Sequence, residues 1–154
     1  MRLSEAIGLA KKDIVLDHPH PHVVIQPHPW RRLKTEGSKR IVPLVGSALW
    51  AAKRAIEVLT KNHLFPRHTR NGECLSNSAS AAINKWPKQH IPRECSVHFF
   101  RHSMRDRLRA VECPKDIVDQ IGGWSSCSIG EGYGQGYPIE ILSKWMRAIA
   151  LNPG

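Results

Sequence analysis

The stretch 96–111 constrains the fold more than any other part of the chain. Ser96 is a helix N-cap by residue type, and Val97, Phe100, Met104, Leu108 and Val111 then recur at spacings of three and four. That period predicts an α-helix with one buried apolar stripe. His98, Arg101, His102, Arg105 and Arg109 fall largely off the stripe. The helix must therefore press one side into a core while carrying a basic and imidazole-rich face outside it.

The neighbouring segments read around this helix. Pro114 suits the first turn of a following helix that carries Ile117, Val118 and Ile121, and Gly122-Gly123 stops it. Residues 125–136 are rich in Ser and Gly and contain Tyr133, and Ile139, Leu142, Met146 and Ile149 predict a final amphipathic helix. Towards the N-terminus, residues 3–10 read as one short helix capped by Ser4, and 13–17 as a short strand. The prolines of Asp17-His18-Pro19-His20-Pro21-His22 forbid a central strand or helix there. Val23-Val24-Ile25-Gln26 and Arg40-Ile41-Val42-Pro43-Leu44 read as strands of a hairpin with a basic tip. Ser47 opens a helix marked by Ala48, Ala52, Ala55, Ile56 and Leu59; residues 60–75 read as a polar loop, and Ser76–Trp86 as a helix ended by Pro87. The expected class is α+β, mainly α: a helical core with a small antiparallel β-sheet near the N-terminus, in one domain spanning residues 1–154.

Charge narrows the function classes. The 154 residues carry 23 basic and 13 acidic side chains, a formal net charge of +10. The excess is segregated: residues 1–111 hold 20 basic against 8 acidic groups, and residues 112–154 hold 3 against 5. One strongly basic region suits a polyanion such as nucleic acid. No apolar run approaches the ~18 residues of a membrane span, and the N-terminus lacks the apolar core of a secretory signal. A cytoplasmic location with reduced thiols follows as the expectation. Cys74, Cys95, Cys113 and Cys127 contain no CxxC pair, and the alternating histidines of 18–22 have no second ligand cluster, so neither metal nor cofactor is expected.

Three residue groups carry candidate chemistry. His98 and Arg101 lie at i and i+3 on one helix, where a guanidinium can grip phosphate oxygens and an imidazole can move a proton. Trp124 follows the Gly-Gly stop with an N–H donor, and Tyr133, nine residues later, offers a hydroxyl nucleophile.

His98-Phe99-Phe100-Arg101-His102, Ile121-Gly122-Gly123-Trp124-Ser125-Ser126 and Tyr133 together resemble the signature of tyrosine recombinases, the phage-integrase family. Two upstream segments match in family order. Arg2-Leu3-Ser4-Glu5 through Leu9 resembles the segment with the first catalytic arginine, and Lys34 through Leu44 resembles the hairpin with the catalytic lysine. The resemblance runs from Arg2 to about residue 150.

The resemblance implies site-specific DNA recombination and integration through a 3′-phosphotyrosine. Tyr133 would attack the scissile phosphate, Arg2 and Arg101 would clamp its oxygens, Lys34 would protonate the leaving 5′-hydroxyl, and His98 would exchange a proton with the tyrosine. Trp124 stands where many members have His and would supply packing and one N–H donor; Glu5 would orient its neighbours. Lys39 is the alternative acid and Tyr137 the alternative nucleophile. The implied partners are double-stranded DNA carrying an attachment site, further copies of the chain docked through the helix 139–149, and DNA-bending accessory proteins in a bacterial or phage nucleoid setting. That helix packing on its own core is the competing expectation. With Met1 directly before Arg2, the resemblance also implies a catalytic domain truncated at its N-terminus, lacking the core-binding domain and weak or inactive. A type IB topoisomerase-like nicking-closing enzyme and a non-catalytic DNA-binding remnant are the alternative readings.

Overall fold

A computed structural model describes residues 1–152 except 36–37, 60–61, 92–94 and 125–135. Helix α1, Leu3–Ile7, leads through a 3-10 turn at Lys11–Asp13 into a three-stranded antiparallel sheet of β1 (Ile14–Val15), β2 (His22–Ile25) and β3 (Arg40–Pro43). Helix α2 spans Gly46–Glu57, and a two-stranded ribbon follows, β4 (Thr69–Arg70) with β5 (Glu73–Cys74). Four helices complete the chain: α3 (Ser76–His90), α4 (Val97–Ala110), α5 (Lys115–Gly122) and α6 (Ile139–Ala148). The class is α+β and mainly α, as the periodicities imply. No described helix is long and apolar enough to cross a membrane.

The sheet and three helices share one core. Val23 and Ile25 of β2 and Val42 of β3 meet Leu108 of α4, Ile117 and Ile121 of α5, and Leu142 of α6. The β2–β3 pairing runs from His22 opposite Pro43 to Ile25 opposite Arg40. Side chains alternate across a strand, so Arg40 lies on the same face as Val42. Arg40 is buried and Ile41 is 40% exposed, the reverse of their hydropathy. Helix α6 and its C-cap bury Leu142 and Ile149 in this chain's own core, and the helix packs against β3.

Several boundaries differ from the sequence reading. Helix α1 ends at Ile7 with Gly8 as its C-cap, and its N-cap is Arg2 rather than Ser4, because the Glu5 carboxylate accepts from the Arg2 backbone N–H at 2.6 Å. His22 joins β2, since the prolines before it fall in the turn and leave its backbone free to pair with Val15. Gly46 rather than Ser47 begins α2; the Ser47 N–H and hydroxyl both donate to the Leu151 carbonyl. Asn71-Gly72 has positive φ at both positions, 54° and 73°, and makes the ribbon turn within the expected loop. Helix α3 continues through Pro87 to His90; the proline costs one backbone bond, and the Ile91 N–H to Pro87 carbonyl bond closes the last turn at 2.8 Å. Phe100 is 64% exposed, so the stripe on α4 is buried fully only at Leu108.

One buried ion pair joins α1, β3 and α5. Arg40 Nη2 donates to Glu5 Oε2 at 2.8 Å, Nη1 to the Ser38 carbonyl at 2.7 Å, and Nε to the Ile121 carbonyl at 3.0 Å. Glu5 is 2% exposed. Burial alone would raise its pKa, but hydrogen bonds from Arg40 and from the Arg2 backbone hold it at about 2 instead of 4.5. Gly123 caps α5 in the left-handed conformation at φ 62°, and a Cβ there would stand 2.5 Å from Arg40 Nη1.

Two outcomes follow from this junction. Gly123→Ala combines left-handed strain of roughly 1–2 kcal/mol with a clash against a pinned guanidinium, so urea unfolding should show a larger loss than for Gly72→Ala, where the backbone strain is similar. A Cβ at Gly72 meets nothing within 4 Å. Equal losses would contradict the junction. The second outcome concerns acid. The folded Glu5 carboxyl takes its proton near pH 2 and the unfolded one near 4.5, so the pair stabilises the fold above about pH 4.5. That contribution drains away as pH falls through 4.5 towards 2. Glu5→Gln should flatten this part of the stability curve, and an unchanged slope would argue against the ion pair.

Candidate active site

Helix α1 places Arg2 beside the buried pair. Arg2 Nη1 donates to Glu5 Oε1 at 3.1 Å and to Ser38 Oγ at 3.3 Å, while its side chain stays 28% exposed. Glu5 thus serves two guanidinia, one buried behind it and one half-open in front.

Helix α4 brings His98 and Arg101 to the same place. A cleft of about 400 Å³ is lined by Arg2, Ser80, Asn84, His98, Phe100 and Arg101, among others. The start of α4 is fixed by Asn84 of α3, whose Oδ1 accepts from the Val97 N–H at 2.8 Å. His98 is exposed and meets His102 edge to face at 4.8 Å between ring centroids. Arg101 is only 7% exposed. Its pKa falls to about 10, first through burial and then through repulsion from Arg2, with Arg40 and Arg105 adding to it and Glu5 opposing. Arg101 Nη1 is buried and makes no hydrogen bond among the described residues.

Trp124 supports that guanidinium. Arg101 Cζ lies 4.3 Å from the indole ring centroid, and Arg105 Cζ lies 5.0 Å from it. The indole folds back onto Gly122, where a Cβ would sit 1.8 Å from ring carbons. The Gly122-Gly123 pair therefore has two separate duties: the first lets the indole lie flat, and the second lets Arg40 pass.

The other candidates stand apart or outside. Lys34 is exposed in the turn after the His28–Arg31 bridge and does not line the cleft; Lys39 is also exposed. Tyr133 lies outside the described residues. Tyr137 is engaged on α5: its backbone N–H donates to Gln120 Oε1 at 2.8 Å, its carbonyl accepts from Gln120 Nε2 at 3.0 Å, and its hydroxyl donates to Asp116 Oδ2. Among the described residues no group of three His, Cys, Asp or Glu side chains is placed to hold a metal ion.

Sequence reasoning missed Arg40 and Ser38. A signal for Arg40 was present, because i and i+2 share a strand face and Val42 belongs to the core. The cluster as a whole gathers the guanidinia of Arg2, Arg40 and Arg105 and the Glu5 carboxylate around Arg101. A buried guanidinium with a free N–H is costly by several kcal/mol unless an anion reaches it. Such a site favours a tetrahedral oxyanion with several oxygens to share, and a phosphodiester fits that description.

Comparisons with known proteins give one finding. Searches of curated proteins and of solved structures returned no match. A family model described as "Phage integrase family" matches residues 1–137, a span that takes in every candidate residue from Arg2 to Tyr137. The chain belongs to the phage integrase family, the family of site-specific tyrosine recombinases.

Proposed function

We propose that this chain cleaves and rejoins double-stranded DNA through a 3′-phosphotyrosine, with the cleft between α1 and α4 as the seat of the scissile phosphate. The observation that carries the reading is Arg101: buried, stacked on Trp124, and with Nη1 unbonded among the described residues beside the half-open Arg2. Two guanidinia so held can each donate to a non-bridging oxygen and gain strength as charge builds on the pentavalent phosphorus. The N-terminal end of α4 adds a favourable dipole for an anion.

In this mechanism the Tyr133 oxygen forms a bond to phosphorus while the bond to O5′ breaks. His98 takes the tyrosine proton, and Lys34 supplies one to the departing O5′. The energy of the phosphodiester is kept in the phosphotyrosine, so religation to a new 5′-hydroxyl needs no nucleotide cofactor. Trp124 braces Arg101 and transfers no proton. Tyr137 is the poorer nucleophile, since its hydroxyl is already committed to Asp116. The whole described core acts as one catalytic unit, and assembly of further copies on DNA extends this reading.

A nicked suicide DNA tests the reading, with tryptic mapping of the trapped covalent adduct. Wild type should yield an adduct on the peptide containing Tyr133. Tyr133→Phe should abolish it and Tyr137→Phe should retain it. Arg101→Ala should slow its formation by roughly 10²–10³-fold. An adduct that survives Tyr133→Phe and is lost with Tyr137→Phe would reassign the nucleophile. Salt-sensitive DNA binding without any adduct would identify a binding remnant in place of an enzyme.

A further inference from the structure

A second buried polar cluster sits away from the phosphate cleft, and the mechanism above leaves it unused. Asp13 is completely buried. Its Oδ2 accepts from the Ala10 N–H at 2.9 Å and meets His28 Nε2 at 2.7 Å, and its Oδ1 accepts from Gln26 Nε2 at 2.8 Å. His28 lies flat against Trp30, with ring centroids 4.5 Å apart and planes 6° apart. Trp30 Nε1 donates to the Gly8 carbonyl at 3.0 Å, and Gly8 is the C-cap of α1, whose N-cap is Arg2. The His28 and Arg31 backbones exchange two hydrogen bonds of 3.0 Å, and Arg31 Nη2 donates to the Gln26 carbonyl at 2.7 Å.

The output of this cluster is the start of the Lys34 turn. Leu33 packs against the core just before it. On the far side, the Ser38 N–H donates to the Thr35 carbonyl at 3.0 Å, and Ser38 Oγ accepts from Arg2 Nη1 at 3.3 Å. The chain before the exposed Lys34 and the chain at Ser38 are thus both indexed to α1, one through Trp30 and Gly8, the other through Ser38 and Arg2. A buried carboxylate and imidazole on irregular backbone are expensive to retain, and what they fix here is the position of that turn.

We propose that Asp13, His28 and Trp30 are positioning residues for Lys34, setting its ammonium relative to Arg2 for proton delivery to the leaving O5′. This inference rests on the recombinase reading and on Lys34 as the acid. Proton transfer needs a heavy-atom approach of about 2.6–3.2 Å, and a misplacement near 1 Å costs on the order of 10²-fold.

The test compares first-turnover cleavage of a nicked DNA with an ordinary scissile phosphodiester and one with sulfur in place of the bridging O5′. A thiolate departs without a proton, so it bypasses the acid and nothing else. Trp30→Phe keeps the stack and removes the N–H bond to Gly8. His28→Leu removes the bond to Asp13, and His28→Gln can restore it. Trp30→Phe and His28→Leu should slow the ordinary substrate by roughly 10- to 100-fold and leave the sulfur substrate near the wild-type rate, the same pattern expected of Lys34→Ala. His28→Gln should recover most of the loss, and Arg101→Ala should slow both substrates.

Equal slowing on both substrates, or no slowing on either, would overturn the inference. Where circular dichroism finds His28→Leu unfolded, Trp30→Phe decides. If wild type is active but Lys34→Ala is slow on both substrates, the positioning role falls and the recombinase reading stands. If wild type cleaves neither substrate, the recombinase reading itself fails, and the inference falls with it.

Discussion

The Arg40–Glu5 pair holds three parts of the chain in register. Arg40 reaches from β3 to a carboxylate on α1, to the Ile121 carbonyl on α5 and to the Ser38 carbonyl, and its three nitrogens are all used. Removing one partner of such a buried pair leaves an uncompensated charge and costs about 3–5 kcal/mol, whereas replacing both with apolar groups is often neutral. Stability alone does not explain keeping it. What an apolar replacement could not do is present Glu5 to Arg2 on its open side. The pair turns a charge buried for packing into a fixed anchor for a half-exposed guanidinium.

That anchor has an electrostatic consequence. Arg101, across the cleft, is pushed down to about 10 by burial first and then by repulsion from Arg2; the Glu5 carboxylate opposes this, and Arg40 and Arg105 add to it. Its stacking on Trp124 satisfies the face of the guanidinium and leaves an edge N–H unspent. The site is therefore under-compensated by its own contacts, and in the proposed reading a phosphate supplies the missing anion. Phe100, exposed beside Arg101 on the same helix, lines this cleft instead of the core.

Local signals were legible in the sequence and non-local ones were not. The helix around Leu108, the Gly122-Gly123 stop and the β2–β3 hairpin follow from periodicity and residue type within a few positions. The convergence of Arg2, His98 and Arg101 was accessible only through a whole-chain family resemblance. Arg40 was hidden because its partners lie 35 and 81 residues away in sequence, and an arginine in a strand reads as solvent-facing by default. His28 and Trp30 were hidden for the same reason, because a proline-punctuated stretch reads as surface, and Asp13 because a carboxylate at the start of a short strand does; their polar groups nevertheless close on one another inside the fold. The Asn71-Gly72 ribbon turn was readable from its residue types and was passed over inside a polar stretch.

The most direct measurement is a crystal structure of the protein trapped covalently on nicked DNA. The expected result is one phosphate accepting hydrogen bonds from both Arg101 Nη1 and Arg2, with Arg40 still held by Glu5 and the Trp124 indole still beneath Arg101. A phosphotyrosine seated away from the cleft, with Arg101 making no contact to it, would contradict the account.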